Sequence, residues 1–251
     1  MTLSFTQQPS AVATSAFPSL SEAEMASLAA HIDSDGFAVL SDCVPMKRLA
    51  DLQNFVMQKV ANAGGEYVGF TTQEATSGTL LSEIAASEGF QTTCQRLYEL
   101  ATGEAAPPAK FYQVLRCLSG KSGEKHSYIF HYDSFVLTVL FPIVIPQEGQ
   151  AGDLIMFPNT RKLRGSYVTN LVDKVLLDNP VSQRVLKMVA RGGMAGVKRI
   201  RMKPGNAYFF WGARSVHANE PCDPSKVRAT ALFHYVDPHE GSWVKKALKR
   251  K

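Results

Sequence analysis

The hydrophobic spacing of this chain changes once, at Phe111, and the change limits the folds open to it. Before Phe111 the apolar residues recur at helical intervals. Ser21-x-x-Glu24 forms a capping box for a helix running towards Ser34, which Asp35-Gly36 stops. After a short strand at Phe37 to Leu40, Leu49, Leu52, Phe55, Val56 and Val60 mark a second helix, closed by Gly64-Gly65. Residues 66–79 read as a loop, and Leu80 to Ser87 and Phe90 to Ala101 as two further helices. From Phe111 the pattern is of strands: 111–118, 129–140 continuing towards Ile145, 154–157, 197–202, 207–211, 215–218 and 228–236, with a loop at 120–123. One stretch, 165–191, returns to helical spacing. Asn179-Pro180 supplies an N-cap followed by proline at the first helical position, and Gly192-Gly193 a stop. Helices first, then strands with one helical insertion, is an α+β order.

Within the strand region, His131-Tyr132-Asp133 is the chemically informative triplet. Residues i and i+2 of an extended chain share a face, so His131 and Asp133 point the same way. An imidazole and a carboxylate side by side are two-thirds of a 2-His-1-carboxylate facial triad, which leaves positions of Fe(II) open. H-x-D alone is common by chance; its weight comes from the residues downstream. Lys203-Pro204-Gly205-Asn206 turns into an apolar run, then comes His217, then Arg228-Ala229-Thr230 on another apolar run. The alternation places Arg228, Thr230, Leu232 and His234 on one face of the last strand. A guanidinium there suits a carboxylate ligand held bidentately.

The ordered set Asp35-Gly36-Phe37-Ala38-Val39-Leu40, His131-Tyr132-Asp133, Gly152-Asp153-Leu154 through Phe157-Pro158, Lys203-Pro204-Gly205-Asn206-Ala207, His217, and Arg228 eleven residues later resembles the phytanoyl-CoA dioxygenase-like branch of the Fe(II)/2-oxoglutarate-dependent oxygenases. The set covers most of residues 20–238. The resemblance implies a double-stranded β-helix (a cupin-like jelly roll) backed by the N-terminal helices. It implies His131, Asp133 and His217 as iron ligands, Arg228 as the clamp on the distal carboxylate of 2-oxoglutarate, and Thr230 as its hydroxyl partner. The cofactors implied are Fe(II), 2-oxoglutarate as co-substrate, and O2. The expected reaction is hydroxylation or desaturation of an aliphatic C–H bond of a small molecule, with release of succinate and CO2. Halogenating relatives replace the carboxylate ligand with a small residue; Asp133 is present, which favours hydroxylation or desaturation.

Arg116 and Gln113, on the strand before His131, are further candidates for the co-substrate. They sit on opposite faces of a regular strand, so a bulge is needed for both to line the site. His126 and His234 are candidate substrate contacts. The loop Asn159-Thr160-Arg161-Lys162 differs from the Gly-Ser-His turn of many relatives, and the long insertion at about 160–201 is not a fixed feature of the family. That insertion is expected to be a lid or wall, with Arg161, Lys162 and Arg164 as contacts for an anionic substrate group.

Charge bears on the partner. Residues 159–203 carry +9 and the last nine residues +5, leaving −9 on the remainder of a chain whose net charge is +5. An acidic body without basic-aromatic alternation argues against a nucleic-acid oxygenase, so the expected substrate is a small molecule, like an amino acid or natural product, or anionic to match the surplus charge of the insertion. An oxygenase of nucleic acid or protein, and a catalytically silent jelly-roll binding module, are the alternatives. Cys43, Cys94, Cys117 and Cys222 lack paired spacing and read as reduced thiols of a cytoplasmic protein. No apolar run spans a membrane, and no basic-then-apolar secretory pattern opens the chain. The expected organisation is a loose arm at 1–18, one dioxygenase domain at 19–240 and a basic tail at 241–251. The sequence sets no oligomeric state.

Overall fold

The computed structural model describes residues 15–71 and 73–248. The expected arm therefore falls largely outside the described residues, but its end does not behave as an arm. Phe17 is fully buried, edge-on to Phe90 at 5.1 Å and to Phe141 at 6.2 Å. An aromatic ring that size contributes more by burial than its short segment loses in freedom.

The helical half runs α1 (Glu22–Asp35), β1 (Ala38–Leu40), α2 (Met46–Asn62), β2 (Val68–Phe70), α3 (Leu80–Ala86) and α4 (Glu88–Thr102). The strand half runs β3 (Tyr112–Leu118), α5 (Gly120–Glu124), β4 (Leu137–Val144), β5 (Leu154–Phe157), α6 (Tyr167–Asp178), α7 (Pro180–Arg191), β6 (Lys198–Ile200), β7 (Ala207–Phe210), β8 (Val216–Asn219), β9 (Arg228–Tyr235) and α8 (Trp243–Leu248). The Ser21 capping box forms as read from the sequence, and Gly36 ends α1 in the left-handed region at φ 90°. Asn179 caps α7 through the backbone N–H groups of Val181 and Ser182, with Pro180 at the start of the helix.

Three expectations change. Residues 66–79 are not all loop: β2 pairs with β3, and a 3-10 turn forms at Glu74–Thr76. Residues 120–123 lie in the short helix α5 rather than a loop. The strand expected from 129 is interrupted, because 134–136 bend away before β4 begins at Leu137.

All strand pairs are antiparallel. The larger sheet has the order β1-β7-β4-β9-β3-β2 and the smaller β6-β5-β8. One face of the larger sheet, with Val139, Phe141, Phe209, Ala231 and Phe233, packs on Leu28, Ile32, Leu52, Val56, Phe90 and Leu97 of the helices. Its other face, with Leu140, Tyr208 and Phe210, meets Leu154, Met156, Ile200 and Met202. This second interface is the inside of the roll. The register sets which polar side chains enter it: Thr138 pairs with His234 and Phe210, Arg116 with Thr230, and Leu118 with Arg228.

Candidate metal centre

The metal-ligating types converge where the smaller sheet meets the end of the larger. His131 and His217 exchange backbone hydrogen bonds, both at 3.1 Å, and the Asp133 N–H donates to the Gly212 carbonyl at 3.0 Å. The H-x-D segment is thus an extended tie between β8 and the turn after β7, and not part of a continuous strand. Its alternation survives: His131 Nε2 lies 3.6 Å from Asp133 Oδ1, and His217 Nε2 lies 3.6 Å from Asp133 Oδ2. One ligand atom from each of the three falls within 4.8 Å of the others. Adjacent positions of an octahedron with ~2.1 Å bonds are ~3.0 Å apart, so a small inward closure would seat a cation on these three.

The tautomers suit such a cation. His131 Nδ1 is 2.9 Å from the Ile129 carbonyl, and His217 Nδ1 is 3.1 Å from the Ser215 carbonyl. A carbonyl only accepts, so each Nδ1 carries the proton and each Nε2 presents its lone pair towards Asp133. Burial pushes the His217 imidazole down to about 4, against the upward pull of Asp133, which keeps it neutral. Burial would by itself raise the Asp133 carboxyl. His217, His234, His131 and the Thr138 hydroxyl outweigh it and hold the group well below the usual carboxylate range.

Thr138 organises this corner. Its hydroxyl donates to Asp133 Oδ2 at 2.5 Å and, with its one proton used, accepts from His234 Nδ1 at 2.9 Å. His234 stacks on Phe135 at 5.0 Å and Tyr112 at 5.9 Å. A Cβ on Gly212 would come within 2.5 Å of both Asp133 Oδ2 and Thr138 Oγ1, so only glycine leaves room for the pair. His234 therefore supports Asp133 through Thr138 rather than lining a substrate space as the sequence suggested.

Arg228 is 3% exposed, yet among the described residues its Nε has no partner and its one side-chain hydrogen bond is from Nη1 to Thr230 Oγ1 at 3.5 Å. Burial, then Arg116, pushes its guanidinium down to about 10. Nearby Asp153 is already engaged by Arg201 at 2.5 Å. Gly152 stands where a Cβ would overlap Arg228 Cδ. A buried guanidinium with an orphaned N–H asks for a carboxylate. Arg116 shares this face through its pairing with Thr230, and like Arg228 makes no ion pair among the described residues. Gln113 does not share it: it points to the helical side, where its amide donates to Thr76 Oγ1 at 2.7 Å.

The remaining candidates divide. His126 stacks on Tyr67 with ring centres 3.9 Å apart, and burial followed by Arg116 lowers its pKa, so it lies towards the Arg116 side. The expectation for Arg161 is corrected. Its Nε donates to the Ala213 carbonyl at 2.7 Å, its two terminal nitrogens to Asp173 and Asn170 at 2.8 Å, and its plane lies 3.7 Å from the Tyr132 ring centre. With each of its three nitrogens engaged, it holds the insertion to the roll rather than standing free for a substrate. Arg164 shares Asp173 at 2.7 Å, and Lys162 points to solvent. Thr138, Gly212, Ser134, Lys174 and Gln183 were not singled out from the sequence. Of these only Thr138 left a signal, a lone hydroxyl in an apolar strand five residues after Asp133.

No protein-family model matches the sequence, and no curated protein matches it. Solved structures do. A Pseudomonas putida prolyl-4-hydroxylase superposes with a TM-score of 0.53 at 10% identity, over 84% of this chain and 98% of that one. The non-heme alpha ketoglutarate dependent carbocyclase SnoK from nogalamycin biosynthesis gives 0.56 at 16% identity, over 87% and 84%. HygX from Streptomyces hygroscopicus, solved with nickel and 2-oxoglutarate bound, gives 0.57 at 9% identity, over 87% of each chain. The chain shares its fold with these structures. At these identities it is the α+β jelly roll that is shared, as the sequence led us to expect. Among the described residues, no helix is long and apolar enough to cross a membrane.

Proposed function

We propose that the protein is an Fe(II)- and 2-oxoglutarate-dependent dioxygenase that hydroxylates or desaturates an aliphatic C–H bond of a small molecule, releasing succinate and CO2. The observation that carries this is Arg228, a buried and unneutralised guanidinium inside the same roll that holds a His-Asp-His cluster. Either feature alone has ordinary explanations. Together they answer the two needs of this chemistry, a metal with open positions and a dicarboxylate held beside it.

The residues fit both groups. His131, Asp133 and His217 would hold the metal through Nε2, one carboxylate oxygen and Nε2. When bound, Fe(II) with 2-oxoglutarate would supply the redox chemistry with O2. Arg228 would take the distal carboxylate, with Thr230 directing its hydroxyl to the same group and Arg116 adding positive charge from the paired strand. Thr138 keeps Asp133 from rotating, and His234 behind it fixes the hydroxyl's proton. Leu140, Leu232, Tyr208 and Phe210 keep water from the interior, which strengthens the ionic contacts made there. Asp133 occupies the position that a halogenating site leaves empty, which supports hydroxylation or desaturation. The order of motifs around Gly152-Asp153-Leu154 and Lys203-Pro204-Gly205 supports placement in the phytanoyl-CoA dioxygenase-like branch. We read the insertion as a wall of the site: Gln183 of α7 grips the backbone of Phe130, accepting from its N–H at 2.9 Å and donating to its carbonyl at 2.8 Å.

The test is spectroscopic. Anaerobic protein with Fe(II) and 2-oxoglutarate should develop the weak visible charge-transfer band of the chelate, and Arg228→Met should shift its 2-oxoglutarate dependence to higher concentration. No band at saturating metal and co-substrate refutes the assignment.

A further inference from the structure

Lys174 has no part in the reaction just proposed, yet it reaches the segment that carries Asp133. From α6 its ammonium donates to Ser134 Oγ at 2.8 Å, and Ser134 directly follows Asp133. Burial pushes the ammonium's pKa down, while Asp133 pulls it back up. It makes no ion pair among the described residues. Of the two acids of its own helix, Asp173 is shared by Arg161 and Arg164, and Asp178, one turn further on, acts on the ammonium without pairing with it. Its closeness to Asp133 does not explain it, since a bound divalent cation would take up that carboxylate's charge and repel an ammonium beside it.

The donors at this corner are also incomplete. Ser134 Oγ accepts from Lys174 and donates to no atom of the described residues. The ammonium has three N–H groups and uses one. One O–H and two N–H donors are therefore available at the residue that follows Asp133. The charges agree. With Fe(II) and 2-oxoglutarate in place, Asp133 and the two carboxylates would balance the metal and Arg228, and Arg116 and Lys174 would remain positive, with no ion pair among the described residues.

We propose that the substrate carries an anionic group, a carboxylate or a phosphate, bound by Lys174 and the Ser134 hydroxyl at the rim of the metal centre. This rests on the oxygenase reading above and names its substrate class. It also moves the expected anion contact from Arg161, Lys162 and Arg164, two of which are spent on Asp173, to the one cation of α6 that faces the site.

The experiment is calorimetric titration of sulfate, as a minimal dianion, into anaerobic protein loaded with Fe(II) and 2-oxoglutarate, with acetate as the carboxylate counterpart. The wild type should take one sulfate or acetate per chain, and the stronger of the two tells phosphate from carboxylate. Lys174→Gln should weaken that binding about 10- to 100-fold, the loss of a charge-assisted contact. Ser134→Ala should weaken it less, Lys174→Arg should retain most of it, and none should change the 2-oxoglutarate dependence of the visible band. Neither anion binding to the wild type, or binding unchanged in both Lys174→Gln and Ser134→Ala, overturns the proposal. So does a loss of 2-oxoglutarate affinity in Lys174→Gln, which would assign Lys174 to the co-substrate. A wild type that binds anions at Lys174 but gives no band instead refutes the oxygenase reading and leaves the anion site standing.

Discussion

Gly212→Ala adds one methyl group at the place where the metal centre has no room for it. The new Cβ would lie 2.5 Å from Asp133 Oδ2, 2.5 Å from Thr138 Oγ1 and 2.8 Å from Asp133 Cβ. Ordinary carbon contacts begin near 3.5 Å, so about 1 Å of movement is required. The backbone at 212 is not left-handed, so the strain is one of packing. Neither neighbour can yield without loss. Moving Asp133 breaks the hydroxyl–carboxylate bond from Thr138, worth ~1.5–3 kcal/mol because one partner is charged. Moving the 212 turn strains the N–H of Asp133, which donates to the carbonyl of that same glycine. Overpacking of this size costs ~1–3 kcal/mol, and a displaced ligand support weakens metal binding ~10- to 100-fold. Anaerobic Fe(II) titration, followed by the visible band with 2-oxoglutarate, reads the metal term, and thermal denaturation of the metal-free protein reads the packing term. We expect weaker metal binding with a Tm several degrees lower. A variant that binds metal as wild type does, at unchanged Tm, would show that the carboxylate is not confined and would remove Thr138 from the account.

Other outcomes rest on the same geometry. His131→Ala, Asp133→Ala and His217→Ala should each abolish metal-dependent turnover while circular dichroism stays native; full activity in any one of them sinks the triad. Arg228→Met should lose ~1.5–3 kcal/mol of 2-oxoglutarate binding, about 10- to 100-fold, with Fe(II) affinity retained, and an unchanged affinity would pass the clamp to Arg116. Thr138→Val keeps the shape but leaves Asp133 Oδ2 without its donor, so metal affinity should fall about tenfold or more, and equal affinity would make the hydroxyl incidental. Arg161→Gln should lower stability by ~3–5 kcal/mol, since it strips a buried network from Asp173, Asn170 and the Ala213 carbonyl; a stable variant with an altered substrate requirement would restore its reading as a substrate contact.

The fold was legible because it depends on periodicities that the sequence carries along its length. Ser21 and Glu24, Asn179 and Pro180, and the switch at Phe111 each act over a few neighbouring residues, and the structure shows their consequences there. The pair His131 and Asp133 was legible for the same reason, since it needs only an extended chain to share a side; His217 was reached through the family resemblance. What escaped was anything set by contacts between distant segments. The question of Arg116 against Gln113 was settled by the pairing of β3 with β9, which turns Arg116 inward beside Thr230 and Gln113 outward to Thr76. The sequence shows that Arg161 is basic and near a strand end. It does not show that Asp173, Asn170 and a carbonyl close around it, because those partners are chosen by where α6 lands. Gly212 has no turn signature beyond its identity; its role comes from a carboxylate nearly eighty residues earlier.

The insertion between β5 and β6 shows why local charge predicts poorly which cations meet a ligand. Arg161, Arg164 and Lys174 lie within one short stretch, and all are positive. Arg161 and Arg164 find Asp173 and are neutralised in forming the hairpin's anchor; the Arg161 plane on Tyr132 and the Gln183 grip on Phe130 complete that anchor on either side of His131. Lys174, one residue beyond Asp173, makes no ion pair among the described residues and donates to the neutral Ser134. Residues 161–174 thus carry one acid for four cations; Lys162 is exposed, and the helix geometry decides which of the other three is left over. An anchor bearing on the ligand segment from both flanks makes the position of Lys174 relative to the metal a property of the folded hairpin rather than of a mobile side chain, which is the condition for a specific contact rather than general electrostatic attraction. The same anchoring couples the two functions: loosening Arg161 should blur anion recognition at Lys174 as well as lower stability, whereas Lys174→Gln should touch recognition alone.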